Sequence, residues 1–465
     1  MRGFPAASAP RPLMLRPLNH AAAIFRWEDP EPTGAVGWVV LDRIINQVSG
    51  GGIFMHPEAT LEEVADVARN MSLKFTLTRP QIGGAKAGIR FDPNSRESPH
   101  VLRRFLHAHK ALLANVWVTA GDLNTSDAFI ESVIRDELGL GTCQWALAQR
   151  IARMPGGRDR TAQLAPLIQH RATEFFPMIE AAVGRGVAEA IAFARRRMGR
   201  KPRVLIQGFG AVGSTLAWYL EELDIATVVG VADLFGYFHD PEGLPIRRLL
   251  KYRQMRVEEM AASGAGQEEL RAASKNIYPV LDEADQRTLN AVPRGERDVH
   301  EFLREFVTCE EAEVFSPCAG RYQITKDTVL AMGEGLWKDV EHRFLVAGAN
   351  NPFGEFDESG ELVEDVKGRC ASLTHGLGAV IVPDWVANSG TAQFFHQALF
   401  RDFDLEHPEV VDQVLEAVAE PIRIFLDEAQ ARAERENREL LHACYKLALE
   451  RLDEPERLPL NSSRA

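Results

Sequence analysis

Apolar positions in this chain follow two rhythms: short unbroken runs bounded by Gly, Pro, Asn or Asp, and stretches repeating every three or four residues. The run 204–206 leads into Gly208, Gly210 and Gly213, and a helix-like segment, 214–223, follows. That order predicts a strand, a glycine turn and a helix. A second run, 226–232, ends at Asp233 and predicts the next strand. Further strands are expected at 35–45, 89–91, 116–119, 313–315, 343–347 and 379–382. Leu61, Val64, Val67, Ala68 and Met71 recur at helical spacing behind a capping box of Thr60 and Glu63, and this helix leads to Lys74. Helices are also expected at 99–114, over most of 125–200, and from Trp385 to about residue 452.

Between these elements, residues 1–35 read as an irregular arm rich in Pro and Ala, and 83–88 as a glycine-rich loop. Segment 245–308 alternates Arg and Glu and reads as a helical, solvated insertion. Strands alternating with helices on both sides of the glycine turn imply an α/β fold of two domains. One is an N-terminal α/β substrate domain, 1–182, onto which C-terminal helices 386–465 pack back. The other is a Rossmann-type doubly wound dinucleotide-binding domain, 183–385. The cleft between them is the expected place for a bound substrate.

Composition narrows the picture. A length of 465 residues suits two domains, and 45% hydrophobic with 26% charged residues is ordinary for a soluble protein. The net charge of −13 argues against a nucleic-acid partner. No apolar stretch approaches the roughly 18 residues that span a bilayer. Five cysteines without a CxxC pair form neither a zinc pattern nor a disulfide framework, so no metal site and a cytoplasmic location are expected. The first 27 residues lack acids, but four prolines by Pro17 spoil an amphipathic transit helix.

The glycine turn carries the first chemistry. Gly208 makes the tight turn, Gly210 lets backbone approach a pyrophosphate, and Gly213 lets helix and strand pack closely. The helix N-terminus supplies N–H groups for the phosphates, and Asp233 is placed to accept hydrogen bonds from a ribose 2′-hydroxyl. No Lys or Arg stands close after Asp233, so NAD is expected in preference to NADP. In the N-terminal part, Lys74 ends a helix and Lys86 sits among Gly83, Gly84 and Gly88. A buried lysine crowded by a second ammonium has its neutral form favoured and becomes a usable base. Asp122, just past a strand, is the carboxylate that completes such a site, or else a helix N-cap.

At these residues the chain resembles the glutamate/leucine/phenylalanine/valine dehydrogenases. The likeness runs through Met71-Ser-Leu-Lys74, Gly83-Gly-Ala-Lys86-Ala-Gly-Ile, Phe91-Asp-Pro, Ala120-Gly-Asp122 and Gly184-Arg-Gly186. It continues through Gln207-Gly-Phe-Gly-Ala-Val-Gly213, Gln323-Ile-Thr325, Gly348-Ala-Asn350 and Asn388-Ser-Gly390. The resemblance implies reversible oxidative deamination of an L-amino acid to a 2-oxo acid and ammonia, in a homo-oligomer. It implies Lys86 as general base activating water, Asp122 as handler of the amino proton, and Lys74 as holder of the α-carboxylate. It places Asn350 by the nicotinamide ribose, with Ala211, Val212 and Ala319 among the cofactor contacts.

Departures from the family pattern bear on specificity. Where glutamate-specific members carry a lysine for the side-chain carboxylate, this chain has Gly50, before Gly51. The helping serine falls on Phe395, and the apolar neighbour between them is Ala392. A buried carboxylate without a cation is costly, so an apolar, branched or aromatic substrate is expected, with glutamate as the alternative. Val183 stands for a threonine that binds cofactor, Phe54 for an arginine, and Thr391 for a glycine. Val183 and the 245–308 insertion leave open a catalytically silent, NAD-binding family member.

Overall fold

In the computed structural model, residues 21–262, 277, 278, 281, 283–354, 366–456 and 458 are described; the first 20 residues of the expected arm, the middle of the insertion and the last of the C-terminal tail lie outside them. Two sheets organise the chain. The first runs Ala23–Glu28, Val36–Leu41, Gly83–Arg90, Ser49–Gly50, Trp117–Val118, with Ile53–His56 also paired to Gly83–Arg90. Two expectations are corrected here. Within the supposed arm, Ala23–Glu28 is an antiparallel edge strand on Val36–Leu41. Its side chains are mostly exposed, and Trp27 is the one that is buried.

The supposed loop 83–88 is part of the central strand Gly83–Arg90, buried along nearly all its length. Its glycines serve packing rather than turning. A Cβ on Gly84 would lie 2.1 Å from the Ser72 nitrogen. Without one, helix Leu61–Lys74 lies directly on the strand, and the Gly84 N–H donates to Ser72 Oγ at 3.0 Å. Strand alternation puts Lys86 on the same face as Gly84 and Gly88. Thr60 caps the helix as expected, its hydroxyl accepting from the Glu63 N–H at 3.1 Å. The Glu63 carboxylate turns elsewhere, to Arg321.

The second sheet runs Val292–Pro293, Gly236–His239, Thr227–Ala232, Arg203–Gln207, Val314–Pro317, Phe344–Val346, Val380–Val382. Its last five strands are parallel, and the first two, which the apolar pattern did not announce, extend it antiparallel. Val204 and Ile206 face helices Met178–Met198 and Ala211–Glu222, while Leu205 faces Val299–Phe306 and Lys326–Glu334. Strand order therefore switches direction between Arg203–Gln207 and Val314–Pro317, which opens a crevice at their C-terminal ends. The insertion is helical at Ile246–Ala262, Glu283–Thr288 and Val299–Phe306.

The chain passes between the two sheets twice. It goes out along Met178–Met198 and returns through Asp384–Ala387 and Gly390–Phe400. The crossings touch where a Cβ on Gly390 would lie 2.1 Å from the Ala182 carbonyl oxygen. Helix Val410–Glu436 lies along the outgoing crossing, where buried Glu189 binds Arg185, Arg196 and Arg423. Helix Leu440–Asp453 ends against the first sheet's side: Arg451 donates to the Thr76 and Leu77 carbonyls at 2.7 Å each.

Candidate active site

The glycine turn behaves as its spacing predicts. Gly208 has φ 96°, a left-handed backbone suited to glycine. A Cβ on Gly213 would lie 1.8 Å from the Gly208 carbonyl oxygen. Gly210 caps helix Ala211–Glu222 without a side-chain bond, so the helix N-terminus faces the cleft through backbone alone. This cleft measures about 670 Å³ and is lined by Gly208, Gly210, Ala211, Val212, Asp233, Ala319 and Asn350. Gly213 lies beneath the turn. The cradle, its helix terminus and its volume fit a dinucleotide.

Asp233 is the exception. Its Oδ1 accepts from the Phe235 and Gly236 N–H groups at 2.7 and 3.0 Å, and its Oδ2 from Ile277 and Tyr278 at 2.7 and 2.8 Å. Those four donors fill the lone pairs of one carboxylate. Asp233 lines the cleft, but its oxygens are spent on folding two loops together, and the expected ribose hydrogen bond finds no free acceptor there. The 277–278 backbone, far along the chain, is what sequence spacing could not reveal.

The chemistry gathers at the mouth of the cleft. Lys86 Nζ, itself buried, donates to Asp122 Oδ2, whose side chain is part-exposed. Burial favours neutral Lys86, and the nearby Arg321 charge adds to this, so its pKa falls below the ordinary lysine value despite Asp122. Burial opposes ionisation of Asp122, but the Lys86 and Arg321 cations outweigh it and hold its carboxyl well below the usual range. The Asp122 Oδ1 accepts from the Leu123 N–H at 2.7 Å, which fixes the carboxylate. The helix-cap alternative for Asp122 is not realised: Ser126 caps Asp127–Ser132.

Lys74 Nζ donates to Asn350 Oδ1 at 2.9 Å and Asn388 Oδ1 at 3.2 Å. An ammonium has three protons, so one is uncommitted among the described residues. Burial, then the Lys86 charge, bring its pKa down to about 8. Asn350, expected at the ribose, thus also ties the second sheet to the lysine.

A second pocket of about 120 Å³ opens beside these groups. Gly50, Gly51, Ala392 and Phe395 line it as expected, together with Phe75, Ile82, Val118 and Leu147. Lys74 and Lys86 are its only lysine or arginine side chains among the described residues. His396 also lines it, pushed by burial to a pKa of about 4 and hence neutral. Gly121, Asp122, Asn350, Asn388 and Thr391 line both cavities, so the two adjoin.

Arg321 went unassigned from sequence. It follows strand Val314–Pro317, two residues before the Gln323-Ile-Thr325 match, and a lone arginine in a polar loop carries no signal. In the fold its guanidinium lies 4.2 Å from the Phe54 ring centre, bonds Glu63, and reaches to 3.7 Å from Asp122 Oδ2. Val183 and Thr391, the other departures, both line the cofactor cleft.

A glycine cradle at a strand-order switch, facing a lysine–aspartate pair with a second buried lysine beside it, is the arrangement of an amino-acid dehydrogenase. The chain belongs to the Glutamate/Leucine/Phenylalanine/Valine dehydrogenase family, whose profile matches residues 178–457, with the family's dimerisation domain matching 33–137. It is 24% identical over 450 residues to a glutamate dehydrogenase of Thermotoga maritima, covering 92% of this chain and 87% of that one. It is 30% identical over 223 residues to an NAD-specific glutamate dehydrogenase of Staphylococcus aureus, covering 44% of this chain and 46% of that one. The fold matches a hetero-hexameric glutamate dehydrogenase of Thermus thermophilus with a TM-score of 0.62 at 22% identity, over 93% of this chain and 89% of that one. No helix among the described residues is long and apolar enough to cross a membrane.

Proposed function

We propose that the protein catalyses NAD-dependent oxidative deamination of an apolar L-amino acid. The observation that carries the substrate class is the second pocket, where Phe75, Ile82 and Val118 crowd Gly50 and Leu147, Ala392 and Phe395 also line the wall, beside the polar Thr119, Gln144 and neutral His396. A γ-carboxylate there would be desolvated without a cation, at a cost on the order of several kcal/mol. Lys74 holds the α-carboxylate with its remaining proton. Asp122 relays a proton from the amino group to solvent and returns to its carboxylate form, and neutral Lys86 then removes a proton from the water that attacks the imine carbon. The nicotinamide, when bound, supplies the hydride acceptor. Gln207 and Gln323, hydrogen-bonded to each other at the floor of the cleft, and the glycine cradle orient the cofactor.

In this reading residues 1–182 with 386–465 form the substrate domain and 183–385 the cofactor domain. Assembly into an oligomer is supported by the dimerisation-domain match and by exposed Ile24 and Phe25 on the edge strand. A second reading, glutamate dehydrogenase, is favoured by the names of the relatives. Purified protein offered NAD with leucine, valine, phenylalanine, tryptophan or glutamate separates the two by reduced-nicotinamide absorbance. Turnover on glutamate alone would sink the apolar reading, and no turnover on any of them would sink both.

A further inference from the structure

Arg321 combines three features that a loop arginine has no structural need for. Its side chain is 8% exposed, its Nη2 has no hydrogen-bond partner among the described residues, and that nitrogen lies 3.7 Å from the Asp122 carboxylate. Its other terminal nitrogen bonds Glu63 on helix Leu61–Lys74, and the Phe54 ring supports the guanidinium plane. Asp122 Oδ2 therefore faces two cations, one from each sheet's side of the cleft. Only one of them can change its charge, since a guanidinium keeps its proton throughout the working pH range.

We propose that Arg321 is a positioning residue for the base step, holding Asp122 ionised and in place when Lys86 gives up its proton. This inference rests on Lys86 being the base. A neutral Lys86 no longer neutralises Asp122, and a buried carboxylate left alone would hold the lysine proton back. The Arg321 charge removes that penalty from one side and repels the Lys86 ammonium from the other. The groups facing Lys86 are Asp122, Arg321, Glu63 and Lys74; Asp127 lies beyond Asp122, and Asp384 beyond Lys74.

Lys86 can be titrated directly. Cyanate carbamylates neutral amines, and peptide mass spectrometry gives the labelling rate at Lys86 across pH in the full-length protein. Comparison at equal pH cancels changes in the reagent. In Arg321→Met the Lys86 midpoint should rise by about one pH unit or more, the scale expected for losing a like charge nearby in a desolvated site. Arg321→Lys keeps the charge and should stay near wild type. Arg321→Gln stands in for a methionine variant that does not fold. An unmoved midpoint in a folded neutral variant overturns the proposal, as does an equal displacement in Arg321→Lys. Where the wild type turns over, the rising limb of kcat/KM should move with the midpoint. A wild type without turnover counts against the proposed reaction and, with it, against a base step for Arg321 to serve, even where the Lys86 midpoint is displaced in the neutral variant. Turnover with an unmoved midpoint counts against this role alone.

Discussion

The Lys86 ammonium and the Asp122 carboxylate form an ion pair although they come from a central strand and from the loop beyond a peripheral strand. Asp122 reaches that position because Trp117–Val118 pairs with Ser49–Gly50, which pairs in turn with the lysine's own strand. Replacing Lys86 by alanine removes the base and leaves the cofactor cradle, on the other sheet, intact. Lys86→Ala should lose about 10³-fold in kcat, within the range for general-base removal, while NAD binding measured by fluorescence stays unchanged. Retained turnover would remove Lys86 from its role.

In the proposed reaction, Lys74 sets an alkaline limit on substrate capture. Its ammonium is needed to hold the α-carboxylate, and burial beside Lys86 brings its pKa down to about 8. The charged form exists below that value, so kcat/KM, which reports the free enzyme, should fall as pH rises through about 8, through a rising KM. Initial-rate measurements from pH 6 to 10 check this. A KM flat across that range would show that the carboxylate is held by another group.

Gly213→Ala tests the cradle. Its Cβ would lie 1.8 Å from the Gly208 carbonyl oxygen, so strand and helix must separate. A stability loss of about 2–3 kcal/mol is expected from such overpacking, read by denaturant melts, together with weakened NAD binding. Wild-type affinity in this variant would mean that the turn tolerates the displacement.

Asp233→Asn distinguishes a folding role from a cofactor role. The amide replaces two acceptor positions with donors, which then face backbone N–H groups. About 3 kcal/mol of stability should be lost, while the preference between NAD and NADP changes little. A large swing in that preference with an unchanged melt would restore the ribose contact.

Much of the second sheet was legible because its strands are short apolar runs that end in glycine, aspartate or proline, and each apolar alternation feeds a different core face. The first sheet was harder. Glycine normally marks a loop, and in Gly83–Gly88 it instead admits a helix against a strand, a purpose visible only when Ser72 stands beside Gly84. Ala23–Glu28 hid because an exposed edge strand needs no clear alternation. Lys74, Lys86 and Asp122 were legible through the resemblance, whereas Arg321 acquires meaning only from the fold that sets it over Phe54. Asp233 was found at the right place with its oxygens already committed.

The paired crossings between the sheets have a mechanical meaning. The two covalent connections touch at Ala182 and Gly390, as two pins of one hinge would, and define one axis between the sheets. Asn388 sits at that axis, whereas the Arg321–Glu63 and Lys74–Asn350 bonds span the gap. Parting the sheets would break both, so the side chains that surround Lys74 and Asp122 also hold the two halves together.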